Sequence, residues 1–292
     1  MGNVPLKMIT NNKIYDELFS STAMPKKCAL CEVGELRELG HIIPKFVMRW
    51  LKQASKKNEF YLNNLASQKV RDTIALRILC EDCEDKFSAS EKLFTDNYFK
   101  RYYRNQVPLE IDDGLYIFAL SVAWRLILST SLLKESAALD TAFKTMSTNA
   151  QLFLLNKSDD SELDVYVFTA NEIESNVAPG LIDEKDLKYS IKHSLLAHAI
   201  TDKSGYFRLS LANVPLVYFK LGVYYFLVAP AGYFERSLFS INYSKVGNKF
   251  RTYKVSYTAD FLEFLKWSTD GTFSEVRDIL SSNKAFDRRD LL

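Results

Sequence analysis

Two C-x-x-C pairs, Cys28/Cys31 and Cys80/Cys83, hold all four cysteines of this chain. A C-x-x-C turn sets two thiolates close enough to grip one ion, and two such turns supply the four ligands of a tetrahedral Zn²⁺ site. Thiolates select zinc or iron–sulfur clusters over hard cations. A disulfide scaffold would need a denser set of cysteines in a shorter secreted chain. Redox chemistry would need a thioredoxin-like strand–helix context, which flanks neither pair. The reading is a structural zinc held by Cys28, Cys31, Cys80 and Cys83. The gap from Cys31 to Cys80 is 48 residues, against about 15–20 in compact zinc ribbons. Whatever lies between the pairs is therefore clamped by the ion.

Composition bounds the rest. The chain has 292 residues, 47% apolar and 13% aromatic, which is a globular composition and not a disordered one. Basic and acidic residues nearly balance, 38 against 36, so a histone-like tail or a polyanionic solvating protein is excluded. A locally basic face is not excluded: Arg37 to Arg104 carry 14 Lys/Arg and 9 Asp/Glu, a formal +5.

Three regions differ in character. Residues 1–26 read as a polar arm with a short helix around Tyr15–Phe19. Residues 27–111 form the zinc-stabilised module, and residues 112–292 a second domain, with the boundary at Val107–Asp113. In that second part, helical patterns at Leu115–Lys134 and Ser136–Asn156 precede strand-like runs. These are Leu163–Thr169, Tyr206–Leu211, Leu216–Leu221, Val223–Ala229, Leu238–Tyr243 and Phe250–Tyr257. Helical patterns return at Ala259–Ser268 and Ser274–Ser281. Helices, then strands, then helices indicate an α+β fold with an antiparallel sheet, not alternating βαβ units. Val214–Ala229 reads as a hairpin turning near Leu221–Gly222. Gly114–Leu133 is about long enough to cross a bilayer, but Arg125 near its middle would cost roughly 2.5–3.5 kcal/mol on insertion scales. We read it as a buried helix whose Arg125 needs a carboxylate or carbonyl partner. No membrane contact is expected. Nothing at Met1–Asn12 reads as a signal peptide, so a reducing cytoplasm is the expected compartment.

Gly40-His41-Ile42-Ile43-Pro44 begins nine residues after Cys31, and Leu79-Cys80-Glu81-Asp82-Cys83-Glu84-Asp85-Lys86 closes the segment. Over about residues 28–90 the chain resembles the HNH nuclease family. The family's signature is a His in an H-I-x-P context, an Asn further on, and L-C-x-x-C-H-x-x-K at the second pair. The resemblance implies a treble-clef-like ββα-metal module, often resting on a zinc held by two C-x-x-C pairs. It also implies metal-dependent phosphodiester hydrolysis, with bacterial antiviral defence or mobile elements as a common setting. His41 then corresponds to the general base, Asn63 or Asn64 to the residue orienting it, and Glu84 to the family's last His. Mg²⁺ or Mn²⁺ would be the catalytic cofactor. Two departures stand out. Gly40 occupies the position just before the base, where the family usually carries a metal-binding acid or His. Glu84 replaces the last His with a carboxylate, which also suits Mg²⁺ or Mn²⁺. The competing reading of His41 is a packing residue that hydrogen-bonds across the zinc loop. Glu84 and Asp85 equally suit a helix start, where acids complement the dipole. Glu91, two turns on, could be a further carboxylate on that helix, but reads first as a surface residue.

Lys45, Arg49, Lys52 and Lys56 fall at helical spacings of 4, 3 and 4 and form one stripe. Phe46, Val47, Trp50 and Leu51 fall opposite. Such a face can track a phosphate backbone of DNA or RNA. Tyr98, Phe99, Tyr102 and Tyr103, interleaved with Lys100, Arg101 and Arg104, could stack bases or pack against the second domain. Residues 112–292 carry no catalytic motif, and His193 and His198 are not spaced to face one ligand on a helix. That region could recognise a partner protein, a nucleic acid or a nucleotide signal. The alternative to a nuclease is a non-catalytic, zinc-scaffolded module that binds nucleic acid or protein.

Overall fold

The computed structural model describes residues 18–37, 39–54, 60–62, 65–70, 72–106, 112–134, 141–169, 196–198, 216–232, 241–246 and 250–255. Between the two cysteine pairs lie strand β1 (Gly40–His41), helix α1 (Lys45–Ala54), and strands β2 (Phe60–Leu62), β3 (Leu65–Val70) and β4 (Ala75–Leu76). β1 pairs antiparallel with β4, with His41 opposite Ala75, and β2 pairs antiparallel with β3. Helix α2 (Glu81–Phe94) starts at the second pair and runs through a π-helical turn (Thr95–Phe99) into α3 (Lys100–Tyr103). Glu81, Asp82 and Glu84 occupy the first turn of α2, where the dipole favours acids.

Helix α4 (Asp113–Ser131) begins where Asp112 caps it, its side chain accepting the Leu115 amide at 3.0 Å. The cap places the helix start two residues before the apolar run that marks it in the sequence. α4 is apolar nearly all round and is accordingly buried on most of its circumference. It is long and apolar enough to span a membrane by length and composition, but 78% of that window is buried inside the protein. Helix α5 (Thr141–Leu154) packs on α4. The main sheet follows: β5 (Leu163–Thr169), β6 (Leu196–His198), β7 (Val217–Leu221) and β8 (Tyr224–Pro230), in antiparallel order 5-8-7-6. A separate hairpin joins β9 (Ile241–Val246) to β10 (Phe250–Val255). The fold is α+β with antiparallel sheets, as the order of patterns indicates. The helices expected at Ala259–Ser268 and Ser274–Ser281, and the strand expected at Tyr206–Leu211, lie outside the described residues.

β7 and β8 turn at Gly222, whose φ of +60° suits glycine. A Cβ there would also stand 2.6 Å from the Tyr103 hydroxyl and 2.8 Å from Phe99. The hairpin is thus seated against the end of the α2–α3 helix. Phe94 is the hub of the contact. It stacks on Phe118 of α4 at 4.2 Å and meets Tyr224 and Phe226 of β8 edge-on at 5.4 and 5.6 Å. One continuous apolar core runs from Phe19 to Val228.

The main sheet is buried on both faces. Val217, Phe219 and Leu221 face the helical core. The alternate residues Tyr218 and Lys220 are also buried, and the Lys220 ammonium lies 4.5 Å over the Tyr225 ring. Burial pushes the Lys220 amine down from 10.5 to about 7. Between those two pH values the unfolded chain keeps a proton that the native state has released. Stability therefore rises with pH across that interval. Replacing Lys220 with Met removes this slope. Urea melts from pH 6.5 to 9.5 should show the wild type gaining on Lys220→Met as pH rises; a pH-independent difference would contradict the assignment.

Candidate metal centre and adjoining site

The four cysteine sulfurs lie within 4.8 Å of one another. All four thiols are free, and Cys31 Sγ and Cys80 Sγ are 3.7 Å apart, far beyond a disulfide bond of about 2.05 Å. A tetrahedron with Zn–S near 2.3 Å needs sulfurs about 3.8 Å apart. The cluster fits a structural zinc. Backbone amides support it: Cys31 N–H points at Cys28 Sγ (3.5 Å) and Gly34 N–H at Cys31 Sγ (3.4 Å).

The electrostatics call for a cation. Burial, and then the neighbouring sulfurs, push the Cys83 thiol far up; burial also raises Cys80. Burial opposes ionisation of Cys31 as well, but the Gly34 and Val33 amides outweigh it and bring that thiol down to about 7. Four thiolates at this spacing repel one another unless a divalent ion offsets their charge.

The cluster is tied to the rest of the protein at three points. Ala29 N–H donates to the Ile78 carbonyl at 2.8 Å, and Arg37 N–H to the Leu79 carbonyl at 2.8 Å. Gln151 of α5 donates to the Leu30 carbonyl at 2.7 Å. Gly34 is a residue that pattern reading missed. A Cβ there would stand 2.6 Å from Cys80 Cβ and 2.7 Å from its sulfur. Its only sequence signal is a glycine three residues after a C-x-x-C turn.

α2, which starts at the second cysteine pair, brings Glu84 against β1 at Gly40, the residue before His41. Glu84 Oε2 lies 2.7 Å from where a Cβ of residue 40 would stand. The glycine lets this carboxylate approach the strand next to His41. Glu84 Oε2 and His41 Nε2 are both buried with no hydrogen-bond partner among the described residues. Burial raises the Glu84 carboxyl; Arg125 opposes that shift, Glu91 adds to it, and His41 opposes it. Asp72 Oδ2 lies 3.6 Å from His41 Nε2, an ion-pair distance beyond ordinary hydrogen-bond length. Burial also raises Asp72, but His41, the Thr73 amide (2.9 Å) and Lys52 outweigh it and hold the carboxyl below its ordinary value.

Arg125 is 1% exposed and has both kinds of partner that a buried guanidinium requires. Nη1 donates to the His41 carbonyl at 2.7 Å, and Nη2 lies 2.8 Å from Glu91 Oε1. Glu91, read from sequence as a surface residue, is instead only 19% exposed. It shares a helix face with Glu84, and α4 covers that face.

Of the other expected residues, Lys45 and Arg49 are exposed on α1 and Lys52 is half-buried. Opposite them, Phe46 and Trp50 pack on Phe99 at 5.2 Å each. Lys56, Asn63 and Asn64 lie outside the described residues, as does His193. The aromatic residues after Asp96 face inward: Tyr98 and Phe99 are buried, Tyr103 packs on Trp50 at 4.4 Å and Tyr102 on Tyr224 at 5.9 Å. They pack against α1 and the β7–β8 hairpin. Asp72 is a further residue near His41 that pattern reading did not assign. No family model, curated protein or solved structure matches this chain.

Gly34→Ala tests how closely the sulfurs are packed. The added methyl must displace a zinc ligand, and such overpacking costs about 1–3 kcal/mol. The variant should melt lower than wild type and lose zinc faster to a competing chelator. Unchanged melting and release would mean that the sulfurs do not close around Gly34.

Proposed function

We propose that residues 28–90 are a divergent HNH-type ββα-metal module that hydrolyses phosphodiester bonds in nucleic acid. The observation that carries this reading is the Glu84 carboxylate lying in the space left by Gly40, the residue that precedes His41 in β1. The family's usual ligand at position 40 is missing, and Glu84 offers an oxygen at the same place. An unpartnered, buried carboxylate oxygen suits Mg²⁺ or Mn²⁺, which are commonly held by one or two carboxylates and several waters. When bound, the ion supplies charge stabilisation at the phosphoryl and leaving oxygens.

In this reading His41 takes a proton from the attacking water. Asp72 faces Nε2 and favours the tautomer with hydrogen on that nitrogen, leaving Nδ1 as the base. Lys45, Arg49 and Lys52 contact the phosphate backbone along α1 and position it without reading sequence. Residues 112–292 serve recognition or regulation.

The test is cleavage of DNA and RNA with Mg²⁺ or Mn²⁺ by wild type, His41→Ala and Glu84→Gln. Loss of a general base should cost about 10²–10⁴-fold in rate, and Glu84→Gln should raise the metal concentration needed. Equal rates in wild type and His41→Ala would remove the proposal. Binding without cleavage would favour the non-catalytic module.

A further inference from the structure

The site carries a second layer that the HNH resemblance does not assign. Arg125 sits at the centre of α4, outside the cysteine-bounded segment, yet its guanidinium ends inside it. Nε donates back to the Ser121 carbonyl of its own helix at 3.2 Å, Nη1 to the His41 carbonyl at 2.7 Å, and Nη2 meets Glu91 at 2.8 Å. The Phe87 ring of α2 lies 5.2 Å from Cζ. A planar, rigid fork held at three corners fixes the distances between its partners. Those partners are α4, the main chain of His41, and the α2 face that carries Glu84 and Glu91.

β1 needs such a tether. It is two residues long and, among the described residues, pairs with the equally short β4 alone. The adjoining Ile42 N–H to Ile74 carbonyl bond, at 2.9 Å, extends that pairing by one step. The Arg125 bond to the His41 carbonyl adds a hold on the main chain that carries the ring. Arg125 also neutralises Glu91. Without that charge, Glu84 and Glu91, two turns apart on one face of α2, would lose a cation that acts on both.

We propose that Arg125 is a positioning residue that sets the separation of His41 from Glu84, making α4 part of the site. The proposal rests on the functional reading above for its catalytic consequence, and on geometry alone for its structural one. A buried pair replaced as a whole by neutral groups of similar volume commonly leaves stability intact, whereas removal of one partner does not. The test therefore uses the double variant Arg125→Met/Glu91→Gln, with Glu91→Gln and Arg125→Lys beside it. Lysine keeps the charge but cannot form the fork.

Zinc content and melting serve as controls. Two readouts follow: the His41 ring carbon–proton NMR signal at fixed pH, assigned among the three histidines with His41→Gln, and the split between kcat and KM. The double variant should keep its zinc, shift the His41 signal, and lose kcat by about 10²-fold, the scale of a misplacement near 1 Å, with KM unchanged. Glu91→Gln should move the signal less, because the carbonyl bond survives. If the double variant does not fold, Arg125→Lys carries the same two readouts. An unmoved His41 signal with kcat retained would overturn the proposal. If wild type cleaves nothing, the functional reading fails, and the NMR shift alone still decides whether Arg125 positions His41.

Discussion

The convergence of four sulfurs on one point is the constraint from which the rest follows. Cys28 and Cys31 come from a short turn, and Cys80 and Cys83 from the start of a helix. The 48 residues between them cannot form a large core of their own. An ion held by four thiolates contributes about 10–16 kcal/mol in zinc-finger peptides, comparable to the whole stability of an ordinary domain at about 5–15 kcal/mol. That binding energy is available only if both pairs close, so the closure determines where β1, β4 and the start of α2 lie. Glu84 sits one residue after Cys83, and His41 four residues after Arg37, whose amide is tied to Leu79, which is why two short elements can hold them.

The cysteine-bounded module does not stand alone. Phe94 stacks on α4 and meets β8, Gln151 reaches the first cysteine turn, and Arg125 reaches His41. These are three different kinds of contact: aromatic packing, an amide to a carbonyl, and a charged fork. Together they make the second half of the chain a support for the first. Arg125 illustrates the energetic logic. Its burial would be costly without the Glu91 carboxylate and the His41 and Ser121 carbonyls, and with them it makes the geometry around His41 specific.

What could be read from the residues, and what could not, divides by range. The cysteine pairs were legible because three-residue spacing and thiol chemistry are local facts. The hairpin of β7 and β8 was legible from two apolar runs around Gly222. α4 was legible as a helix, though its start moved to Asp113 because Asp112 reaches forward to cap it. The need of Arg125 for a partner was legible too, because a buried guanidinium must find a carboxylate or carbonyl. Which one it finds was not legible. Arg125 is 84 residues from His41 and 34 from Glu91, and no local pattern encodes such a meeting. The same holds for Gly34 against Cys80, for Glu84 against Gly40, and for Asp72 against His41. Glu91 was misread because helical periodicity shows which face a residue shares but not which helix covers that face.

X-ray absorption at the zinc edge of the purified full-length protein tests the central claim most directly. Four sulfur neighbours at about 2.3 Å, with one zinc per chain, is the predicted result. A folded protein without zinc, or a zinc shell containing nitrogen or oxygen in place of any of the four sulfurs, would contradict it.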